Sequence, residues 1–171
     1  MRTLTRAACA AFVCLFLLPQ NAKAQASRCA SVPSSNASLT LRCDNGITIV
    51  AENGAKFELK DRNRDGHVDS AELSSKALLV EVPKKPGGNR FEVVTPQAIA
   101  AVRGTRWAVD AAEGKTSVLV VDGRVSVARP AGGRRAVLGP GEGVDVEATG
   151  TLTVKRWGAA RVAALLARLG Q

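Results

Sequence analysis

Thr116-Ser117-Val118-Leu119-Val120-Val121-Asp122-Gly123-Arg124-Val125-Ser126-Val127-Ala128 sets two aliphatic, largely β-branched runs on either side of an Asp-Gly pair. Such side chains fit a pleated, half-buried surface better than a helix. The glycine tolerates the positive φ of a tight reversal, so the stretch predicts a type I′ hairpin. Outward from it the same period of two recurs: Leu39 with Leu41, Ile47 with Ile49, Phe57 with Leu59, Val80 with Val82, Phe91 with Val93, and Trp107 with Val109. Downstream, Val137-Leu138 meets Gly139-Pro140-Gly141-Glu142-Gly143, a turn cluster, before Val144, Val146 and a strand read over Leu152 to Val154. Short strands punctuated by glycine imply an all-β fold, a compact antiparallel β-sandwich or roll.

Two stretches break the rhythm. Pro83-Lys84-Lys85-Pro86-Gly87-Gly88 reads as a connector. Trp157 to Leu169 reads as a short amphipathic helix, with Val162, Leu165, Leu166 and Leu169 on one face and Arg161 and Arg168 on the other. It is expected to plug an open end of the sheet, in preference to lying on a membrane surface.

The N-terminus carries the pattern of an export signal. Arg2 and Arg6 precede an apolar stretch from Ala7 to Leu18, Pro19-Gln20-Asn21 breaks it, and Ala22-Lys23-Ala24 supplies the small residues a signal peptidase reads. Cleavage is expected after Ala24, giving a periplasmic or secreted protein with no stable membrane insertion. The apolar stretch is too short for a comfortable transmembrane helix. Expected organisation is a signal peptide over 1–24, an N-terminal β segment over 25–90, a β core over 91–155 and the helix over 156–171.

Loss of Arg2, Arg6 and Lys23 lowers the formal charge from +9 to +6. These charges are scattered, and the four remaining aromatics, Phe57, Phe91, Trp107 and Trp157, each sit inside an apolar pattern. A nucleic-acid surface would interleave basic residues with exposed aromatics, so none is expected. An anionic envelope surface is at most a weak electrostatic partner. Cys29 and Cys43 are the two cysteines left after cleavage, an even number in an oxidising compartment, and they are expected to form a disulfide. A catalytic thiol would need a base, and His67 is the only histidine. With no Tyr and no Cys/His cluster, the chain is not expected to be an enzyme.

Asp61-Arg62-Asn63-Arg64-Asp65-Gly66-His67-Val68-Asp69-Ser70-Ala71-Glu72 has the spacing of an EF-hand calcium loop. Asp61, Asn63 and Asp65 offer side-chain oxygens at alternate positions, Gly66 permits the sharp turn, and His67 offers its carbonyl. Val68 anchors the loop, Asp69 holds a water and Glu72 closes the shell with two oxygens. Ca²⁺ prefers six to eight hard oxygens, which this spacing supplies. The surroundings are not those of an EF-hand: Ala55 to Lys60 alternates like a strand, and only one helical turn, over Ala71 to Lys76, is expected afterwards. The metal, if bound, is structural, and the competing reading is a polar turn without metal.

Val94-Thr95-Pro96, Ala98-Ile99-Ala100-Ala101-Val102-Arg103-Gly104-Thr105, Trp107-Ala108-Val109, the Val118 to Val121 run, Asp122-Gly123-Arg124-Val125 and Leu138-Gly139-Pro140-Gly141-Glu142 follow one another in order. In this order, Phe91 to Val146 resembles the periplasmic FecR domain, with Arg103, Gly104 and Thr105 at the centre of the motif. Read on physical grounds, Gly104 suits a turn with positive φ. Thr95-Pro96 fixes an extended approach. Arg103, between apolar neighbours, is expected to be pinned by backbone carbonyls or a carboxylate, as a specifier of the fold.

The resemblance implies a sensor that passes a signal from an outer-membrane transporter to a sigma factor through a cytoplasmic anti-sigma segment. The sequence ahead of the domain reads as a cleavable signal, so that cytoplasmic half is expected to be absent. The expected function is a stand-alone, non-catalytic FecR-like binding or signalling module with an envelope protein as its partner. The alternative is a structural envelope scaffold that carries a calcium loop and does not signal.

Overall fold

Alternation produces strands along nearly the whole of the chain described by the computed structural model, which covers residues 29–33, 38–85 and 90–171. The expected export signal, its expected cleavage position and Pro86-Gly87-Gly88 of the connector lie outside these residues. The strands are β1 (Cys29–Val32), β2 (Leu39–Cys43), β3 (Thr48–Ala51), β4 (Lys56–Lys60), β5 (Ser70–Glu81), β6 (Arg90–Val94) and β7 (Ile99–Arg103). They continue as β8 (Arg106–Ala112), β9 (Lys115–Asp122), β10 (Val125–Ala128), β11 (Ala136–Leu138), β12 (Glu142–Glu147) and β13 (Lys155–Arg156), followed by helix α1 (Ala159–Arg168).

The sheet curls into two layers that share β5. One layer runs β4-β5-β6-β7-β10-β11 and the other β1-β2-β3-β5-β8-β9-β12-β13. All pairings are antiparallel except that of β5 with β6. β5 passes from one layer to the other at Lys76, whose φ of 66° lies in the left-handed region. Its first half pairs with β4 and β6, its second half with β3 and β8. The break shifts the alternation by one: Ala71 and Leu73 face the core before it, Leu78 and Val80 after it. A non-glycine residue in that conformation costs on the order of 1–3 kcal/mol. The helical turn expected over Ala71 to Lys76 is absent because those residues are extended and hydrogen-bonded on the sheet.

The core between the layers is formed by inward positions of both, including Ile49, Leu73, Leu78, Phe91, Val102, Trp107, Val118, Val125 and Leu138. A second, smaller cluster lies on the outer face of the β3-β5-β8-β9 layer. There Val50, Ala77, Leu79, Ala108 and Leu119 meet Trp157, Leu165 and Leu169. The helix therefore covers a sheet face instead of plugging an open end. β9 is apolar on both sides for the same reason: Val118 and Val120 point to the core, Leu119 to the helix.

Two further expectations change. β9 and β10 do not form a hairpin with each other; β9 pairs with β8 and β12, and β10 with β7 and β11. Asp122-Gly123 instead carries the chain from one layer to the other. Gly123 has φ 88°, and a Cβ there would come within 2.8 Å of the Thr105 hydroxyl and 3.0 Å of the Gly104 carbonyl. The strand expected over Leu152 to Val154 falls later and is shorter, at Lys155–Arg156; Leu152 and Val154 pack against the core from a coil.

Candidate functional site

The Asp61–Glu72 loop connects β4 to β5, so it is flanked by strands and not by helices. Its carboxylates and amide fold it through backbone N–H groups. Gly66 N–H donates to Asp61 Oδ2 at 2.8 Å, Asp65 N–H to Asn63 Oδ1 at 3.0 Å, and His67 N–H to Asp65 Oδ1 at 2.8 Å. Arg62 and Asn63 N–H groups donate to the two oxygens of Asp69 at 3.0 and 3.2 Å. The His67 N–H bond, followed by that from the Asn63 amide, holds the Asp65 carboxyl below its ordinary value. Val68 is buried and its carbonyl accepts from Asn45 at 2.9 Å, which ties the loop to the body. Asp61 Oδ1 is buried and has no hydrogen-bond partner.

Glu72 does not join this group. It lies on β5, 3.8 Å from both Lys60 and Arg62, and Arg62 also pairs with Glu92. Among the described residues no three His, Cys, Asp or Glu side chains are gathered as a metal shell. The His67 ring turns outward, 3.0 Å from Asp44.

Cys29 and Cys43 are directly opposite across β1 and β2 and form a disulfide. At the other candidate motif, Gly104 adopts φ 59° at the turn between β7 and β8. Thr105 is buried, and its hydroxyl reaches the carbonyls of Arg103 at 3.2 Å and Arg124 at 3.1 Å. Among the described residues no carbonyl or carboxylate pins Arg103 as expected, and its side chain is exposed. The alternation of β7 decides this, because Ala100 and Val102 face the core and Arg103 follows on the outward side.

Sequence reading missed the neighbours of Arg103. Arg90 is its register partner on β6. Arg124 stands one step beyond the Val102–Val125 pair between β7 and β10. No local pattern marks these residues as a group, since only strand register assembles them. A groove of about 560 Å³ opens between β4, β5 and the β6–β7 turn, lined in part by Phe57, Glu58, Glu72, Leu73 and Pro96. The hydroxyl of its Ser74 donates to the Lys56 carbonyl at 3.1 Å, while the lining carboxylates Glu58 and Glu72 lie against Lys60.

Among solved structures, the fold is similar to the crystal structure of a candidate anti-sigma factor from Parabacteroides distasonis ATCC 8503. The TM-score is 0.61 at 22% identity, covering 80% of this chain and 64% of that one. A second crystal structure with the same description and organism aligns at TM-score 0.49 and 22% identity, covering 81% of this chain and 60% of that one. The chain thus spans less than two thirds of either. No curated protein matches it. A family profile described as FecR protein matches residues 32–126. That span begins earlier than the Phe91 at which the motif resemblance starts, and takes in β2 to β6 as well as the Arg103-Gly104-Thr105 turn. With more than half of its length matched, the chain belongs to the FecR protein family.

Proposed function

We propose that the chain is a non-catalytic FecR-type binding and signalling module of the periplasm, exported by a signal peptide cleaved after Ala24, that recognises an envelope protein. The family match across residues 32–126 carries this reading. The arrangement of the site supports it: the one histidine is engaged with Asp44, and the serine of the groove donates to a backbone carbonyl. None of the described helices is long and apolar enough to cross a membrane. The test is a pulldown from envelope extracts with the mature chain beginning at Gln25, with and without Ca²⁺. A specific transporter or receptor partner is expected; absence of any partner under both conditions favours the scaffold reading instead.

Ca²⁺ is proposed as a stabiliser of the Asp61–Glu72 loop. Asp61, Asn63, Asp65 and Asp69 carry the side-chain oxygens, His67 the carbonyl, and the unpartnered Asp61 Oδ1 is an oxygen that a cation would satisfy. Glu72 completes such a shell only by leaving Lys60 and Arg62. Isothermal titration is expected to find one Ca²⁺ per chain, lost in Asp61→Ala and weakened in Glu72→Gln. No heat with the unmodified chain overturns the proposal.

A further inference from the structure

Arg90 on β6 and Arg103 on β7 are paired directly opposite, so their side chains share one face of the sheet. Continuing the Val102–Val125 register by one step places Arg124, just before β10, beside Arg103 on the far side. All three are exposed. Adjacent strands are about 4.8 Å apart, so the three arginines spring from backbone positions spread over roughly 10 Å. Like charges at facing positions destabilise a sheet, and here the nearby carboxylates do not relieve them. Glu92 is paired with Arg62, Glu81 with Arg106, and Asp122 with Lys84 at 2.7 Å. The fold nevertheless fixes the backbone beneath two of the three, since the Thr105 hydroxyl joins the carbonyls of Arg103 and Arg124.

A row of arginines that no carboxylate pairs among the described residues, on backbone fixed by a buried hydrogen bond, is complementary to carboxylates. We infer that this end of the β6-β7-β10 face docks an acidic, Asp- or Glu-rich segment of a partner protein, an inference that rests on the module reading above and names the surface it uses. In the next row inward, Ala101 and Ser126 are short and lie between Glu92, which is paired with Arg62, and Val137, leaving room over β7 and β10 for a chain laid along the arginines. Nucleic acid is disfavoured because Phe91, Trp107 and Trp157 are buried and offer no stacking surface. A membrane is disfavoured because the row itself carries no large apolar side chain to insert; of the exposed large hydrophobics, Leu39 is on β2 and Val137, opposite Ser126 one row inward, is a single valine.

The test is fluorescence anisotropy with a fluorescein-labelled poly-glutamate peptide at low and moderate salt. Binding is expected to weaken at least about tenfold in R103E, as for loss of a close charge pair. R90E and R124E provide independent reversals on neighbouring strands. R134E/R135E, which makes a larger change in net charge between β10 and β11, is expected to leave affinity within about twofold. Thermal melting identifies folded variants. Equal weakening by R103E and R134E/R135E shows attraction by net charge alone and overturns the inference. So does binding to phosphatidylglycerol vesicles or a single-stranded DNA oligonucleotide with none to the peptide. A partner captured from envelope extracts that R103E still binds as tightly also overturns it, while leaving the signalling-module reading intact.

Discussion

One hydroxyl proton at Thr105 serves two carbonyls, that of Arg103 at the end of β7 at 3.2 Å and that of Arg124 in the β9–β10 connection at 3.1 Å. The close approach depends on Gly123, because any Cβ there would strike the Thr105 side chain. Thr105 is 2% exposed, so water does not replace the bond when the hydroxyl is removed. Thr105→Val keeps the shape and deletes the donor; a loss of about 1–2 kcal/mol is expected, read as a lower urea midpoint, with Thr105→Ser retaining most of the stability. An unchanged midpoint in Thr105→Val shows that the hydroxyl does not hold the turn. The glycine-dependent turn at Gly104 was legible in the sequence, since the residue type states the backbone requirement. The exposure of Arg103 was legible only from strand parity, and its apolar neighbours suggested a side chain pinned by carbonyls or a carboxylate instead.

At the scale of the element, α1 is held by two kinds of contact of unequal weight. Burial of Leu165 and Leu169 contributes on the order of 1.5–3 kcal/mol each, whereas exposed ion pairs contribute about 0–1 kcal/mol. The apolar face therefore holds the helix, and the ion pairs set its position along the sheet. Arg168 spans Asp110 and Glu52, hydrogen bonds to which hold its guanidinium still more firmly charged than usual. Arg161 stacks on Trp157 at 3.5 Å and pairs with Asp145, which also accepts from the Ser117 hydroxyl at 2.6 Å. Burial raises the Asp145 carboxyl, but the bonds from Arg161 and Ser117 outweigh it and the net direction is down. The stabilisation from Asp145 is thus present above its unfolded value of about 3.9 and is lost as pH falls through the lower folded value. Acidification below about pH 4 is expected to raise acrylamide quenching of Trp157, with D145N quenched more at neutral pH and without the acid step. An acid step in D145N equal to that of the unmodified chain removes Asp145 from the mechanism. The amphipathic period made the helix itself legible; its resting place depended on Val50, Leu79 and Leu119, distant residues that form a face only after strand pairing.

Across the whole molecule, sequence alternation located most strands but not their partners. Asp122-Gly123 has the composition of a hairpin turn, yet its positive φ carries the chain between layers, because β8 and β12 already occupy both edges of β9. The candidate loop was equally clear as a motif, while Glu72 was drawn to Lys60 and Arg62 by the β4–β5 ladder. The pairing that organises everything else is that of β5, which contributes one half to each layer and meets β3, β4, β6 and β8. Neither layer can lose β5 without exposing core residues of the other, Leu73 and Phe91 on one side and Leu78 and Trp107 on the other. Unfolding is therefore expected to be a single cooperative transition despite the two layers. Denaturant curves from tryptophan fluorescence, which reports on β8 and the helix approach, are expected to superimpose on far-ultraviolet dichroism. Amide exchange in β7 and β9 is expected to give the same opening free energy within error. A lower value for β7, with β9 still protected, would mean that the β6-β7-β10 layer opens alone, and that β5 joins the layers without coupling them.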